Sequence, residues 1–553
     1  MTARSPSRSL LRDARGETPL WQLYPVFFAA VYLSHLTLLR LPYFWDEGGY
    51  YIPAAWDFFR TGTLIPVTTA TNAHPPLPSI LLAGWWRLSG FVPSGTRTFI
   101  CMVTAAALLA VFRLARNLLG TRAAVATTLL TALYPIWFAQ STLAHADIFA
   151  AAFTLWGLSF YLEPVHPAVA GEQHVNSVKW ISQQHQIYAA ILFSLAALSK
   201  ETAIVTPVAL AVREAFLLVR DRSVPGLRRA HAGWLGALLA PILPLAAWYA
   251  YHFHRTGFVF GNPEYLRYNA TANLDAQRIA LCLYHRVLHL TMHMNLFVPV
   301  LCALAAFLLF PAIRTRTRLP RPALNAIAVI LIANWIAFSV LGGALLTRYL
   351  LPMYPLILLV AVAEWQRRVR TWGWIAALSG AAFLAGLWIN PPYAFAPEDN
   401  LTYRDMIVLH QRAVALIGER WPQATVLTAW PATSELERPE LGYTKFPINA
   451  VAIQNFSREQ IEDAARMEQA AAGPGEYDTA LLFSTKWAPP RGAINLAHGN
   501  APTDARYFDF HKDVLPAEAA AILHGEVVWQ ASIRGEWVAV LRFPRSKEQT
   551  TGR

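Results

Sequence analysis

IYAAILFSLAALSKETAIVTPVALAVREAFLLV, residues 187–219, is a long apolar stretch broken near its centre by Lys200-Glu201. A helix that spans a bilayer needs about 20 residues, so a stretch of this length crosses either once or as a hairpin. The arginines decide between the two. Clusters at Arg113, Arg116 and Arg122, at Arg220, Arg222, Arg228 and Arg229, at Arg314, Arg316, Arg318 and Arg321, and at Arg367, Arg368 and Arg370 sit in short loops between apolar runs. Such loops face the cytoplasm. A single crossing at 187–219 would turn every cluster from Arg220 onward to the outside, so the segment is expected to be a hairpin with LSKETA at its outer tip. Its rising arm, Ile187 to Ser199, would span only about 20 Å at 1.5 Å per residue. Lys200 would then stop slightly below the outer surface, at the depth of phosphate headgroups.

The rest of the chain extends this pattern. Of its 553 residues 55% are hydrophobic and 14% charged, and apolar runs of membrane-spanning length recur near 21–40, 97–116, 122–141, 144–162, 232–251, 288–310, 323–341, 348–363 and 372–389. With the hairpin these make about eleven spans, the N-terminus inside and the C-terminus outside. The first run follows a basic leader (Arg4, Arg8, Arg12, Arg15) but is too long for a signal-peptide core, so it is read as an anchor. The net charge of +12 reports topology here rather than a nucleic-acid partner, because the arginines cluster in the loops. Cys101, Cys282 and Cys302 supply neither a disulfide framework nor a CxxC metal site.

The expected architecture is a polytopic α-helical membrane protein with a soluble α/β domain on the outer face. Residues 1–20 form a cytoplasmic segment, 21–390 the transmembrane domain, 391–545 the outer domain and 546–553 a disordered tail. Two outer loops interrupt the membrane part, 41–96 and 252–287. The first carries a helix-like stretch after Asp46, a proline-rich break at AHPPLP and the aromatic ILLAGWWRLSGF, which suits a helix lying in the interface. In the outer domain Ser457-Arg458-Glu459-Gln460 reads as a capping box. TVLTAW, TALLFS, EVVWQAS and EWVAVLRF read as strands, the last two joined through Arg534-Gly535.

Ionisable residues beside spans are costly to place and are functional candidates by default. FWDEGGYY puts Asp46-Glu47 just beyond the first span; Asp147 opens the fourth in AHADIFAA; Lys200 tips the hairpin; Arg348 lies in LLTRYLLP. All fall at the outer face. A carboxylate there can take a proton from an attacking acceptor, and Lys and Arg can hold a phosphate through charge-assisted hydrogen bonds. Plainer roles exist for each: a helix-terminal acid for Asp46, a solvent-facing or supporting one for Glu47, an N-cap for Asp147, snorkelling for Lys200 and Arg348, and a loop residue for His74. His285, His289 and His293 fall at a spacing that would place them along one helix face; a divalent metal there is not favoured over histidines at a polar interface.

WDEGGYY, AHPPLPSILL, Asp147, LSKETAIVTP and TRYLLPMYP, in this order, resemble the membrane-embedded C-type glycosyltransferases, in the dolichyl-phosphate-mannose-protein mannosyltransferase-like branch that includes aminoarabinose transferases. The resemblance covers roughly the first 390 residues. It implies a polyprenyl-phosphate-linked sugar donor, inverting transfer on the outer face to a lipid, glycan or protein acceptor, and no cofactor. It implies Asp46 as catalytic base, with Glu47 and Asp147 beside it in the chemistry, Lys200 and Arg348 on the donor phosphate, and His74, Tyr50 and Tyr51 framing the pocket. Its setting would be a bacterial-type inner membrane. Alternatives are an oligosaccharide transferase using a diphosphate-linked glycan and a non-catalytic lipid-linked sugar translocase. The outer domain shows no nucleophile motif, phosphate loop or metal spacing. Its tryptophans (Trp421, Trp430, Trp487, Trp529, Trp537) read most simply as core, and removal of residues 397–553 is expected to leave measurable transfer to a small soluble acceptor.

Overall fold

The computed structural model describes residues 19–163, 175–261, 275–341, 345–470, 476–485, 501–508 and 511–543. The leader before Pro19, the tail after Phe543, Trp487 and residues 262–274 of the loop 252–287 lie outside them. The chain divides into two compact units. One comprises residues 1–37, 54–90 and 95–385; the other comprises 38–53, 91–94 and 386–553. The division near residue 386 is close to the expected boundary. The segment 38–53, which carries Asp46, clusters with the C-terminal unit, where the expected boundary had put it with the membrane part.

The first unit is helical. Among the described residues four helices are long and apolar enough to cross a membrane: Pro93–Leu119, Glu201–Arg220, Pro225–Thr256 and Arg321–Val340. A fifth candidate is the pair Ala276–Asn295 and Phe297–Leu309, bent by 99°. Ala146–Tyr161 and Trp372–Trp388 are apolar but shorter. The first apolar run, expected over Trp21–Leu39, holds the 3₁₀ turn Leu20–Gln22 and the α-helix Tyr24–Ser34. Large side chains lock the helices together, with Trp86, Trp137, Tyr134, Tyr354, Phe149 and Phe193 fully buried. Helix Ala146–Tyr161 packs against Val175–Ser199, and at Gly157 an added Cβ would stand 2.9 Å from the Phe193 ring. That close approach sets Asp147 and Lys200 on neighbouring helix ends.

Helix Val175–Ser199 is 25 residues long, which corrects the short rising arm inferred for Lys200. Polar residues before Ile187 hid its start, because a hydropathy window reads them as loop. The arginines at the far ends of the helices accept a simple account. Arg316 donates to the carbonyls of Gln366 and Val369 at 2.6 and 2.7 Å, and Arg368 to that of Phe310 at 2.7 Å. Each cation thus satisfies carbonyls that a helix C-terminus leaves without partners. ILLAGWWRLSGF forms helix Leu77–Ser89, whose Leu82, Ala83 and Trp86 are buried while Leu88 is 82% exposed.

The C-terminal unit is built on a five-stranded mixed sheet of order β2-β1-β3-β5-β4. Its strands are β1 Thr425–Ala429, β2 Asn449–Ile453, β3 Thr479–Phe483, β4 Glu526–Ile533 and β5 Glu536–Arg542. β1 runs parallel to β2 and β3, whereas β5 is antiparallel to β3 and β4. Arg534 and Gly535 both have positive φ, 49° and 96°, as a tight type I′ hairpin between β4 and β5 requires. Helix Arg458–Ala470 begins where Ser457 Oγ accepts the Gln460 N–H at 3.4 Å. Four of the five tryptophans fall among the described residues and are not core: Trp421, Trp529 and Trp537 are half-buried, and Trp430 is 40% exposed.

Candidate active site

Three of the residues singled out in the sequence meet in the first unit. Helix Val175–Ser199 stops because Lys200 turns extended (φ −152°, ψ 126°) before the short 3₁₀ turn Glu201–Ile204. Asp147 lies in the first turn of Ala146–Tyr161, one residue inside the helix start; the N-cap position belongs to His145, which corrects the capping role considered for Asp147. Arg348 lies in the 3₁₀ turn Thr347–Leu350 ahead of helix Met353–Arg368. Lys200 Nζ stands 2.6 Å from Asp147 Oδ1, and Arg348 Nε 3.3 Å from Asp147 Oδ2.

All three side chains are buried. The two cations and one carboxylate carry a formal net charge of +1. Tyr349, which the sequence reading passed over, lies under the ammonium, its ring centroid 3.9 Å from Lys200 Nζ; its place next to Arg348 was the available signal. The three charged groups line a small cleft, with volume for about one water at its deepest, together with Thr154, Thr202, Thr206, Asn334, Phe338 and Tyr349 among others. Asp147 is the one acid among the lining residues. Asn334 Nδ2 donates to Thr206 Oγ1 at 3.2 Å. Neither was picked out from sequence, since one Asn or Thr in an apolar run leaves no pattern.

His74 joins this neighbourhood through the residue after Lys200. Its Nδ1 lies 2.9 Å from Glu201 Oε2. The turn before it is pinned: Trp248 Nε1 donates to the Ala73 carbonyl at 2.9 Å, Thr71 Oγ1 lies 2.9 Å from His252 Nε2, and the His74 N–H donates to Asn72 Oδ1 at 2.9 Å. Lys200 and Glu201 therefore face different partners.

Asp46, Glu47, Tyr50 and Tyr51 belong to the C-terminal unit. Trp45 has φ 46°, and Glu47–Tyr51 forms a single π-helical turn that runs into helix Ile52–Thr61. Such turns are rare and concentrate at functional sites. Asp46 is partly exposed. Glu47 is fully buried, its Oε2 accepting the Phe44 N–H at 2.9 Å, so the solvent-facing alternative is excluded and the carboxylate holds the turn closed around Asp46. Tyr50 and Tyr51 meet edge-to-face with centroids 5.5 Å apart.

The histidine ladder is shorter than its spacing suggested. Helix Ala276–Thr291 ends before His293, which sits in a separate turn beside Met294 at φ 47°. His289 and His293 rings are 5.4 Å apart. Among the described residues no group of three or more His, Cys, Asp or Glu is arranged to hold a metal ion.

Residues 73–248 match the family model described as dolichyl-phosphate-mannose-protein mannosyltransferase. That stretch is similar to membrane glycosyltransferases of the C type. The match spans His74, Asp147 and Lys200, while Asp46 and Arg348 lie outside it. In fold the chain is similar to ArnT from Cupriavidus metallidurans in the apo state, at 14% identity and a TM-score of 0.54, over 94% of this chain and 98% of that one. It is similar also to the same ArnT bound to undecaprenyl phosphate, at 16% identity and a TM-score of 0.52 with the same coverage. At these identities the likeness concerns fold. No curated protein sequence matches the chain.

Proposed function

We propose that this protein is a glycosyltransferase of the C type that moves one monosaccharide from a polyprenyl-phosphate donor to a lipid, glycan or protein acceptor at the outer face of a bacterial-type inner membrane, with inversion at the anomeric carbon. The N-terminus would be cytoplasmic and the C-terminal unit outside. The observation that carries this reading is the buried trio Asp147, Lys200 and Arg348, with its formal excess of one positive charge. Two buried cations converging on one cleft can hold a phosphate monoanion or diester through charge-assisted hydrogen bonds. The fold relative solved with undecaprenyl phosphate supports a lipid phosphate as that anion.

In the proposed reaction Asp46 takes the proton of the acceptor nucleophile, the nucleophile attacks the anomeric carbon, and the polyprenyl phosphate departs. Lys200 and Arg348 meet the charge that develops on the leaving phosphate. Asp147 holds the two cations at fixed positions, so it acts on the chemistry through them. Glu47 acts through the turn that presents Asp46, and His74, Tyr50 and Tyr51 frame the approach to the pocket. No step requires a metal or an organic cofactor.

The test is incubation of the purified protein with radiolabelled polyprenyl-phosphate sugars and membrane extract, followed by identification of the labelled product. Label moved from lipid phosphate to an acceptor with inverted configuration supports the reading. Transfer only from diphosphate-linked oligosaccharide would overturn it.

A further inference from the structure

The Asp46 turn is seated on the C-terminal unit by contacts from three directions. The Tyr43 N–H donates to the Leu441 carbonyl at 3.1 Å. A Cβ added to Gly48 would stand 3.2 Å from a Leu441 methyl, and one added to Gly49 only 2.7 Å from the Trp430 indole. The Trp45 ring meets the Trp430 ring edge-to-face at 5.3 Å, and Phe44 packs on Tyr403 at 5.8 Å. The backbone around Asp46 is therefore moulded to its seat: both glycines accept contacts that a side chain would block.

The turn also needs that seat. Trp45 holds φ 46°, a left-handed conformation unfavourable for a bulky residue, and Glu47–Tyr51 keeps the widened π geometry. Strained conformations of this kind persist where the surroundings over-determine them. Trp430 touches both sides of Asp46, through Trp45 before it and Gly49 after it.

We propose that Trp430 and Leu441 of the C-terminal unit are positioning residues that fix the Asp46 turn. The proposal rests on Asp46 being the base. It reverses the expectation that the outer domain is dispensable. Displacing a catalytic group by about 1 Å can cost on the order of a hundredfold in rate, so loosening the seat lowers kcat. Donor binding, carried by Lys200 and Arg348 in the other unit, is left alone.

The experiment measures kcat, donor KM and direct donor binding for Trp430→Ala, Trp430→Phe, Gly49→Ala and the double variant Gly49→Ala/Trp430→Ala in the full-length protein, with Asp46→Asn alongside. Trp430→Ala lowers kcat by about 10- to 100-fold with donor KM within a factor of about two, and Trp430→Phe, which keeps an aromatic edge for Trp45, recovers most of the loss. Gly49→Ala lowers kcat by pushing its methyl into the indole. The double variant is no slower than Trp430→Ala, because the clashing partner is gone; independent defects would multiply instead. Retention of full kcat in Trp430→Ala, or a multiplied loss in the double variant, overturns the proposal. So does loss of donor binding in Trp430→Ala and Trp430→Phe alike, which would signal general unfolding. If Asp46→Asn is inactive while Trp430→Ala is not impaired, positioning is wrong and the assignment of the base survives. If Asp46→Asn keeps the wild-type rate, the assignment of the base is what fails.

Discussion

Lys200 Nζ lies 2.6 Å from Asp147 Oδ1 with neither side chain more than 6% exposed, and Arg348 Nε lies 3.3 Å from the other oxygen of the same carboxylate. One acid thus keeps two buried cations apart from each other and in place. Removing it leaves two like charges facing one another, whereas removing one cation leaves a balanced pair.

The first prediction follows from that asymmetry. Asp147→Asn destabilises the protein by about 3–5 kcal/mol, the range for breaking a buried pair from one side, and Lys200→Met costs less because Arg348 still answers the carboxylate. The double variant Asp147→Asn/Lys200→Met is more stable than Asp147→Asn alone. Thermal unfolding of the purified variants in detergent checks the order. Equal losses that add in the double variant would show that the three groups do not act as one cluster.

Donor binding should respond to the same charges. Lys200→Met and Arg348→Met each remove one charge-assisted contact with the phosphate, worth about 1.5–3 kcal/mol, so the donor concentration at half-saturation rises by roughly 10- to 100-fold. Added polyprenyl phosphate raises the Tm of the wild-type protein by mass action and raises that of either variant less. Unchanged donor KM in both would remove the phosphate from this cleft.

Asp46→Asn keeps the size and hydrogen-bonding shape of the side chain but not its basicity. Transfer falls by about two to four orders of magnitude, while insertion and donor binding persist. Glu47→Gln is a useful contrast, because an amide oxygen can still accept the Phe44 N–H; its loss of rate is expected to be below about tenfold. Single-turnover assays with saturating donor separate the two. Equal losses would mean that Glu47 takes part in proton transfer.

How much of this was legible in the sequence depended on whether a residue's role was local. Asp147, Lys200 and Arg348 were found because a charge beside an apolar run is conspicuous, and their order matched a family pattern. The β4–β5 hairpin was readable from Arg534-Gly535 and the alternation on either side. β2 was missed: Asn449–Ile453 has only partly buried or exposed side chains and so lacks a strand's contrast. The seat of Asp46 was unreadable for a different reason. Gly48, Gly49, Trp430 and Leu441 touch through long-range packing, and nothing local in GGYY or in TAWPAT announces the partner. The start of helix Val175–Ser199 was hidden by its polar residues, and with it the true length beneath Lys200.

The last prediction concerns pH and the C-terminal unit. Glu536, at the start of β5, is 1% exposed, and its Oε2 accepts a short hydrogen bond from Ser484 Oγ. Burial drives its pKa from 4.5 up to about 7; the Ser484 bond and His410 oppose the rise, while the charges of Asp513 and Asp405 add to it. The folded state therefore holds this proton more tightly than the unfolded chain does. Its contribution is fully present below about pH 4.5 and is lost as pH rises through about 7, because between those values the native protein binds more protons than the unfolded one. The swing is on the order of 3 kcal/mol. Glu536→Gln, which keeps an acceptor for Ser484 and cannot ionise, removes this component and makes the sheet more stable than wild type at pH 8. Amide hydrogen exchange of β3 and β5 in the full-length protein, corrected for intrinsic rates, reads the effect between pH 5 and pH 8. Wild-type protection that does not fall relative to Glu536→Gln across that window would place the Glu536 proton off well below neutrality.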